Sequence, residues 1–135
     1  MPELGERLGP LVVRLTRSGV VRYSGASTDF NEIHYSDRHA RAIGLDGVIA
    51  HGMWTMGAAL RVVTDWAGDP SRVLSYSVRF TRPVLVPDTD DGVEVTFSGE
   101  VSALERDVAT VSIAAATADG AVLGAARAEV RVDLG

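Results

Sequence analysis

No cysteine occurs in the 135 residues. That excludes a disulfide scaffold, a cysteine-ligated zinc ribbon and a thiol nucleophile. Aromatic residues reach only 6%, and positive charge is also short: 13 basic against 18 acidic side chains give a net charge of −5. A nucleic-acid binder needs a basic face, so this balance argues against one. Long apolar runs are missing as well. Nothing approaches the length that spans a bilayer, and residues 1–10, with Glu3, Gly5 and Glu6, hold no apolar signal-peptide segment. The expectation is a cytoplasmic protein with neither a membrane nor a nucleic acid as partner. What is present is ordinary for a globular chain, 46% hydrophobic and 23% charged. The length predicts one domain over residues 1–135, large enough to bury roughly two-thirds of its unfolded surface.

From Val73 onward the chain alternates with period two. Leu74, Tyr76, Val78 and Phe80 interleave with Ser75, Ser77 and Arg79, the pattern of a half-buried strand. Val93, Val95 and Phe97 repeat it, as do Ala109, Val111 and Ile113, and then Ala126, Ala128, Val130 and Val132. Asp119-Gly120 lies between the last two runs and signals a hairpin, because glycine accepts the positive φ of a primed turn. A further strand is expected near Leu11–Leu15.

Met53–Trp66 is different. Apolar residues occupy nearly every face, with Arg61, Thr64 and Asp65 as exceptions. A helix apolar all round is a buried one, roughly 20 Å long at 1.5 Å per residue. Trp54 and Trp66 are expected in the core. A buried helix with four or more antiparallel strands predicts an α+β fold in which a curved sheet wraps the helix. Ser36 or Asp37 is positioned to cap a shorter helix running to about Ile43 and ended by Gly44. Such a sheet leaves open edges, and pairing two sheets edge to edge closes them, so at least a dimer is expected.

Chemistry concentrates in two places. Tyr23 to His34 is a dense polar stretch that reads as a turn-rich loop carrying Asp29, Asn31 and His34. A carboxylate and an imidazole five positions apart converge on one water if the loop curls back, and such a pair moves protons at neutral pH. The same spacing also suits turn residues and a structural histidine. The second place is Ile49-Ala50-His51-Gly52-Met53, where the long helix begins. Its first amides lack internal partners, and glycine there admits a carbonyl oxygen to the backbone. Alternatively Gly52 only makes room for packing and His51 caps the helix. His34, His39 and His51 match no standard metal-ligand spacing and have no carboxylate-rich partner nearby, so no metal is expected. Arg79 and Arg82 read as solvated strand-end charges, or as contacts to a phosphorylated carrier.

These residues resemble the MaoC-like hydratase/dehydratase family. Its pattern runs Y-x-G-x-S-G-D-x-N-P-I-H and then I-A-H-G-M; Tyr23–His34 and Ile49–Met53 follow it, and Arg79-Phe80 with Pro83-Val84 is similar to its later R-F-x-x-P-V segment. Within that family the chain resembles the small single-domain (3R)-hydroxyacyl-thioester dehydratases of actinobacteria. The resemblance implies a hot-dog fold and an active site at a dimer interface, in a homodimer or a heterodimer with a related hot-dog subunit. It implies reversible syn hydration of trans-2-enoyl thioesters of coenzyme A or acyl carrier protein, in fatty-acid or polyketide-type metabolism, without a cofactor. Asp29 and His34 match the catalytic pair, and Gly52 matches the glycine whose amide holds the thioester carbonyl. Asn31 matches the asparagine that orders the loop, and His51 and Met53 fall where residues orient the substrate. A thioesterase on the same fold and a non-catalytic acyl-binding subunit are the rival readings. Thr28 stands where the family has Gly and Glu32 where it has Pro; Glu32 brings an extra carboxylate toward the pair.

Overall fold

A computed structural model describes residues 1–133. Strand β1 (Arg7–Leu15) leads into helix α1 (Arg17–Ser27), a 3-10 turn over Glu32–His34, the short helix α2 (Asp37–Ala42) and the long helix α3 (Gly52–Ala67). Strands β2 (Val73–Phe80), β3 (Val93–Glu105), β4 (Val108–Thr117), the two-residue β5 (Gly120–Ala121) and β6 (Leu123–Arg131) follow. They form one antiparallel sheet in the order β1-β3-β4-β6-β2, with β5 on β4. Helix α3 lies in the concavity and packs against every long strand. This is the sheet wrapped around a helix that the sequence pattern anticipates, and the hot-dog architecture that the resemblance implies.

Alternation decides which side chains fill the space between sheet and helix. Val95, Phe97 and Val101 of β3, Ala109 and Val111 of β4, and Ala128 and Val130 of β6 are fully buried, facing Ala59, Val62 and Val63 of α3. The predicted turn between the last strands falls at Ala118–Asp119, and Gly120, at φ 115°, pairs with Thr117. Helix α2 is capped by the Ser36 hydroxyl, which accepts from the His39 amide at 3.1 Å. It gives way to Gly44 at φ 96°, as expected.

Several expectations are corrected. Residues 23–27 are not loop: they complete α1, whose first turn is capped by the Thr16 hydroxyl accepting from Gly19 N. The segment carries two glycines and three serines, which weaken intrinsic helicity. It folds because Val20 and Ser24, one turn apart, are buried against the interior. Helix α3, in turn, is not covered all round. Gly52, Met53, Gly57, Arg61 and Asp65, spaced mainly by four, form an exposed stripe. Trp54 and Trp66 are half-buried rather than central; the Trp66 indole Nε1 donates to Glu6 Oε2 at 2.6 Å. On the edge strand β2, Leu74 and Phe80 are likewise exposed. No helix among the described residues is long and apolar enough to cross a membrane.

Candidate active site

The left-handed turn at Thr28 (φ 61°) ends α1 and sends the chain into the 28–34 loop. Side chains bond their own backbone to shape that loop. Asp29 N donates to Ser27 Oγ at 3.2 Å, Asn31 N to Asp29 Oδ1 at 3.2 Å, and Ile33 N to Asn31 Oδ1 at 3.1 Å. Asp and Asn close such turns readily. Asp29 therefore uses one oxygen for the loop and keeps the other, Oδ2, turned toward His34.

His34 is buried, and its Nδ1 donates to the Ile49 carbonyl at 2.8 Å. A carbonyl only accepts, so Nδ1 carries the proton and Nε2 presents a lone pair. That lone pair lies 3.7 Å from Asp29 Oδ2, too far for a direct hydrogen bond and suited to a shared hydroxyl or water. The carboxylate is half exposed, the ring is not.

Residues 48–50 hold the site together as an extended bracket. Ile49 N donates to Ile33 O, Ala50 N to Val84 O, and Val86 N to Val48 O. Val48 N donates to Asp37 Oδ1 at 2.9 Å, and Arg17 donates to both Asp37 oxygens and, through Nε, to Val86 O. The Val48 amide first and the Arg17 guanidinium second hold the Asp37 carboxyl below its ordinary range.

At the end of the bracket α3 begins. His51 occupies the cap position but makes no capping bond with its side chain. The ring is buried, stacked on His34 with centroids 3.6 Å apart and planes 18° from parallel. The Gly52 N–H has no hydrogen-bond partner among the described residues. Gly52 lines a cavity of about 310 Å³ together with Ile49, Ala50, Thr55 and Phe80. A Cβ on Gly52 would come within 3.1 Å of the Phe80 ring, so any side chain there obliges that ring to shift.

The other candidates fall as follows. Asn31 shapes the loop. Met53 is exposed on the α3 stripe, next to Gly52 but directed outward. The Glu32 carboxylate does not face the pair: its Oε2 sits 3.0 Å from His39 Nδ1. Arg79 and Arg82 are exposed. Of the three histidines His34 and His51 come together, and with the single carboxylate of Asp29 they offer ligand atoms within 4.8 Å of one another. The donor geometry nevertheless does not suit a metal. An ion lies in the plane of each imidazole that binds it, and two nearly parallel rings 3.6 Å apart do not share one in-plane point. One nitrogen of each ring is also already spent on a carbonyl, His34 Nδ1 on Ile49 and His51 Nε2 on Asp29. Two residues here were not expected at the site: Ser24 belongs to a helix that read as loop, and Phe80 stood out only as an alternating strand residue and as part of the R-F-x-x-P-V resemblance.

The model of the MaoC like domain matches residues 3–118. The chain belongs to that family. Among curated proteins it is similar to 3-hydroxyacyl-thioester dehydratase X of Mycobacterium tuberculosis, 39% identical over 90 residues. That match takes in 65% of this chain and 31% of the relative, so this MaoC-like chain spans about a third of that protein. It is 33% identical over 94 residues to the 3-oxo-4,17-pregnadiene-20-carboxyl-CoA hydratase beta subunit of the same organism, covering 70% of this chain and 69% of the relative. Among solved structures, a MaoC-like dehydratase matches with TM-score 0.93 and 33% identity over 98% of this chain and 41% of that one. A chain of the ChsH1-ChsH2 complex from Mycobacterium tuberculosis matches with TM-score 0.85 and 28% identity over 98% of this chain and all of that one. The (R)-hydratase from A. caviae involved in PHA biosynthesis matches with TM-score 0.84 and 26% identity over 98% of each chain.

Proposed function

We propose that this MaoC-like chain hydrates trans-2-enoyl thioesters and, in reverse, dehydrates (3R)-hydroxyacyl thioesters by a syn path. The observation that carries the reading is the gap of 3.7 Å between the His34 Nε2 lone pair and Asp29 Oδ2; the unpartnered Gly52 amide, next in the chain to the His51 ring stacked on His34, supports it.

In the dehydration direction the C2–H bond breaks toward His34 Nε2. The C2 electron pair forms the C2=C3 bond, and the C3–O bond breaks. The proton then passes from the imidazolium to the departing oxygen, directly or through Asp29, and water leaves. The C2 hydrogen and the C3 hydroxyl leave from one face, so a single pair serves both ends. The Asp29 carboxylate stabilises the transient imidazolium. Acid–base help of this kind is worth roughly 10²–10⁴-fold. Charge growing on the thioester oxygen meets the Gly52 N–H and the positive end of α3, where one such donor is worth roughly 10²–10³-fold. Asn31 orders the loop, and Met53 and His51 flank the approach to Gly52. All groups required belong to the chain, so the reaction needs no cofactor.

The proposed substrates are thioesters of coenzyme A or acyl carrier protein, in fatty-acid or polyketide-type metabolism in the cytoplasm, and residues 1–135 act as one domain. Exposed Leu74 and Phe80 on the edge strand, with exposed Met53 at the start of α3, support a dimer that buries this apolar surface and completes the acyl tunnel. The partner is a second copy or a related hot-dog subunit. Steady turnover of a trans-2-enoyl-CoA with formation of the (3R) alcohol, together with a dimeric mass in solution, is the expected result. Release of free thiol from a saturated acyl thioester would mark a thioesterase instead. Tight acyl binding without turnover would mark a non-catalytic subunit.

A further inference from the structure

His51 touches both members of the proton-transfer pair, and it does so with different parts of its ring. Its Nε2 lies 3.1 Å from the Asp29 carbonyl and 3.2 Å from the buried Ser24 hydroxyl. Because the carbonyl only accepts, Nε2 must carry the proton. Ser24 Oγ shares that N–H as a second acceptor. The face of the same ring lies on His34, and Tyr23 meets it from the other direction with centroids 4.8 Å apart.

We infer that His51 is a positioning residue that fixes the distance between Asp29 and His34 and stays neutral while doing so. The inference rests on the hydratase reading above. Asp29 sits in a loop shaped by local side-chain bonds, and the donation from His51 is its tie to the helix α3 start. His34 is held at one edge by Ile49, and the stacked ring supports its flat face. One residue thereby sets both sides of the 3.7 Å gap, and displacements near 1 Å at such a gap cost on the order of 10²-fold in rate. Neutrality follows from the surroundings. The groups facing the ring are His34 from the 3-10 turn, Asp29 through its carbonyl, and Tyr23 and Ser24 from α1. The ring also stands at the positive end of α3. A second positive charge there would oppose the helix dipole and the imidazolium formed on His34 in turnover. A neutral π face supports that imidazolium.

The test has two arms. A long-range proton–nitrogen spectrum of the histidine rings in the wild-type protein is expected to show two neutral tautomers, Nε2–H on His51 and Nδ1–H on His34. An Nδ1–H tautomer on His51 overturns the inference whether or not the protein turns over substrate. In the second arm, His51→Phe keeps a ring but loses the donor, and His51→Gln keeps a donor but loses the ring. Each is expected to lower kcat about 10–100-fold while KM for the enoyl thioester changes less than about twofold. Ser24→Ala, which barely alters the packing, is expected to lower kcat less. A raised KM with unchanged kcat would make His51 a substrate contact and overturn the positioning role, as would activity that tracks only the folded fraction. A wild type without hydratase turnover fails the reading of function; the spectrum still decides the placement of His51.

Discussion

The Ile49 carbonyl accepts the Nδ1 proton of His34 at 2.8 Å, and this bond fixes which nitrogen faces Asp29. The carbonyl is itself held, because the amides of Val48, Ile49 and Ala50 are all engaged by Asp37, Ile33 and Val84. A histidine on a mobile loop would sample both tautomers. Here the sequence Val48-Ile49-Ala50 presents its carbonyl from a bracket with little freedom to move. His34→Ala is therefore expected to lower kcat by roughly 10²–10⁴-fold, with the fold retained by circular dichroism. A loss below tenfold would remove His34 from the proton transfers.

Gly52 is expected to tolerate no side chain. In Gly52→Ala the new methyl meets the Phe80 ring at about the 3.1 Å of the ideal Cβ, and the ring, itself half exposed, must shift within the cavity that it lines with Gly52. The fold should survive, since the φ at Gly52 is an ordinary helical one. Hydratase kcat/KM is expected to fall at least tenfold, within the range for a lost oxyanion donor, roughly 10²–10³. Unchanged kinetics would mean that the amide does not meet the thioester.

Thr28 carries strain. A β-branched residue at φ 61° costs roughly 1–2 kcal/mol relative to its usual conformations, and glycine is the residue that occupies this position freely. Against that, glycine adds unfolded-chain entropy worth about 0.5–1 kcal/mol. Thr28→Gly is expected to raise stability by about 0.5–1 kcal/mol, a few degrees in Tm for this length. A lower Tm would show that the threonine contributes contacts outweighing its backbone cost.

Asp37 makes stability depend on pH. Its carboxyl titrates lower in the folded chain than the usual 3.8 because Val48 N–H and Arg17 favour the charged form. A depressed folded value means the stabilisation is fully present above 3.8 and is lost as pH falls through the folded value. Asp37→Asn is expected to lose about 1 kcal/mol near neutrality, the scale of a partly exposed ion pair. The difference from wild type should shrink as denaturation is measured below pH 3.8. A difference constant down to strongly acid pH would show that the charge is not what holds the bracket.

Most of the fold was legible in the sequence because period-two alternation has a direct physical cause: one face of each strand meets α3. Val95 and Phe97, or Ala128 and Val130, alternate because their neighbours face away. Helix α1 was not legible. Its pattern has two glycines, three serines and only two valines, and its stability comes from where Val20 and Ser24 dock, which no local signal encodes. The exposed stripe on α3 was only partly legible: Arg61 and Asp65 mark it, whereas Gly52, Met53 and Gly57 look the same whether they meet a sheet or another subunit. At the site, Asp29, His34 and Gly52 were picked out by residue type and spacing. The stacking of His51 on His34 was not, since 17 positions separate them and the contact exists only through the bracket. Glu32 misled in the opposite way: it neighbours the pair in sequence, yet its side chain turns to His39.

The central claim is that Asp29 and His34 together move the proton. The most direct test is the decay of the enoyl-thioester absorbance of crotonyl-CoA and of a longer trans-2-enoyl-CoA, run with wild type and with Asp29→Asn. The asparagine keeps the loop bond to the Asn31 amide through its Oδ1 but cannot carry the charge that supports the imidazolium. Rapid decay with wild type and a loss of roughly 10²–10⁴-fold with Asp29→Asn is the predicted result. Equal rates for the two proteins would contradict it.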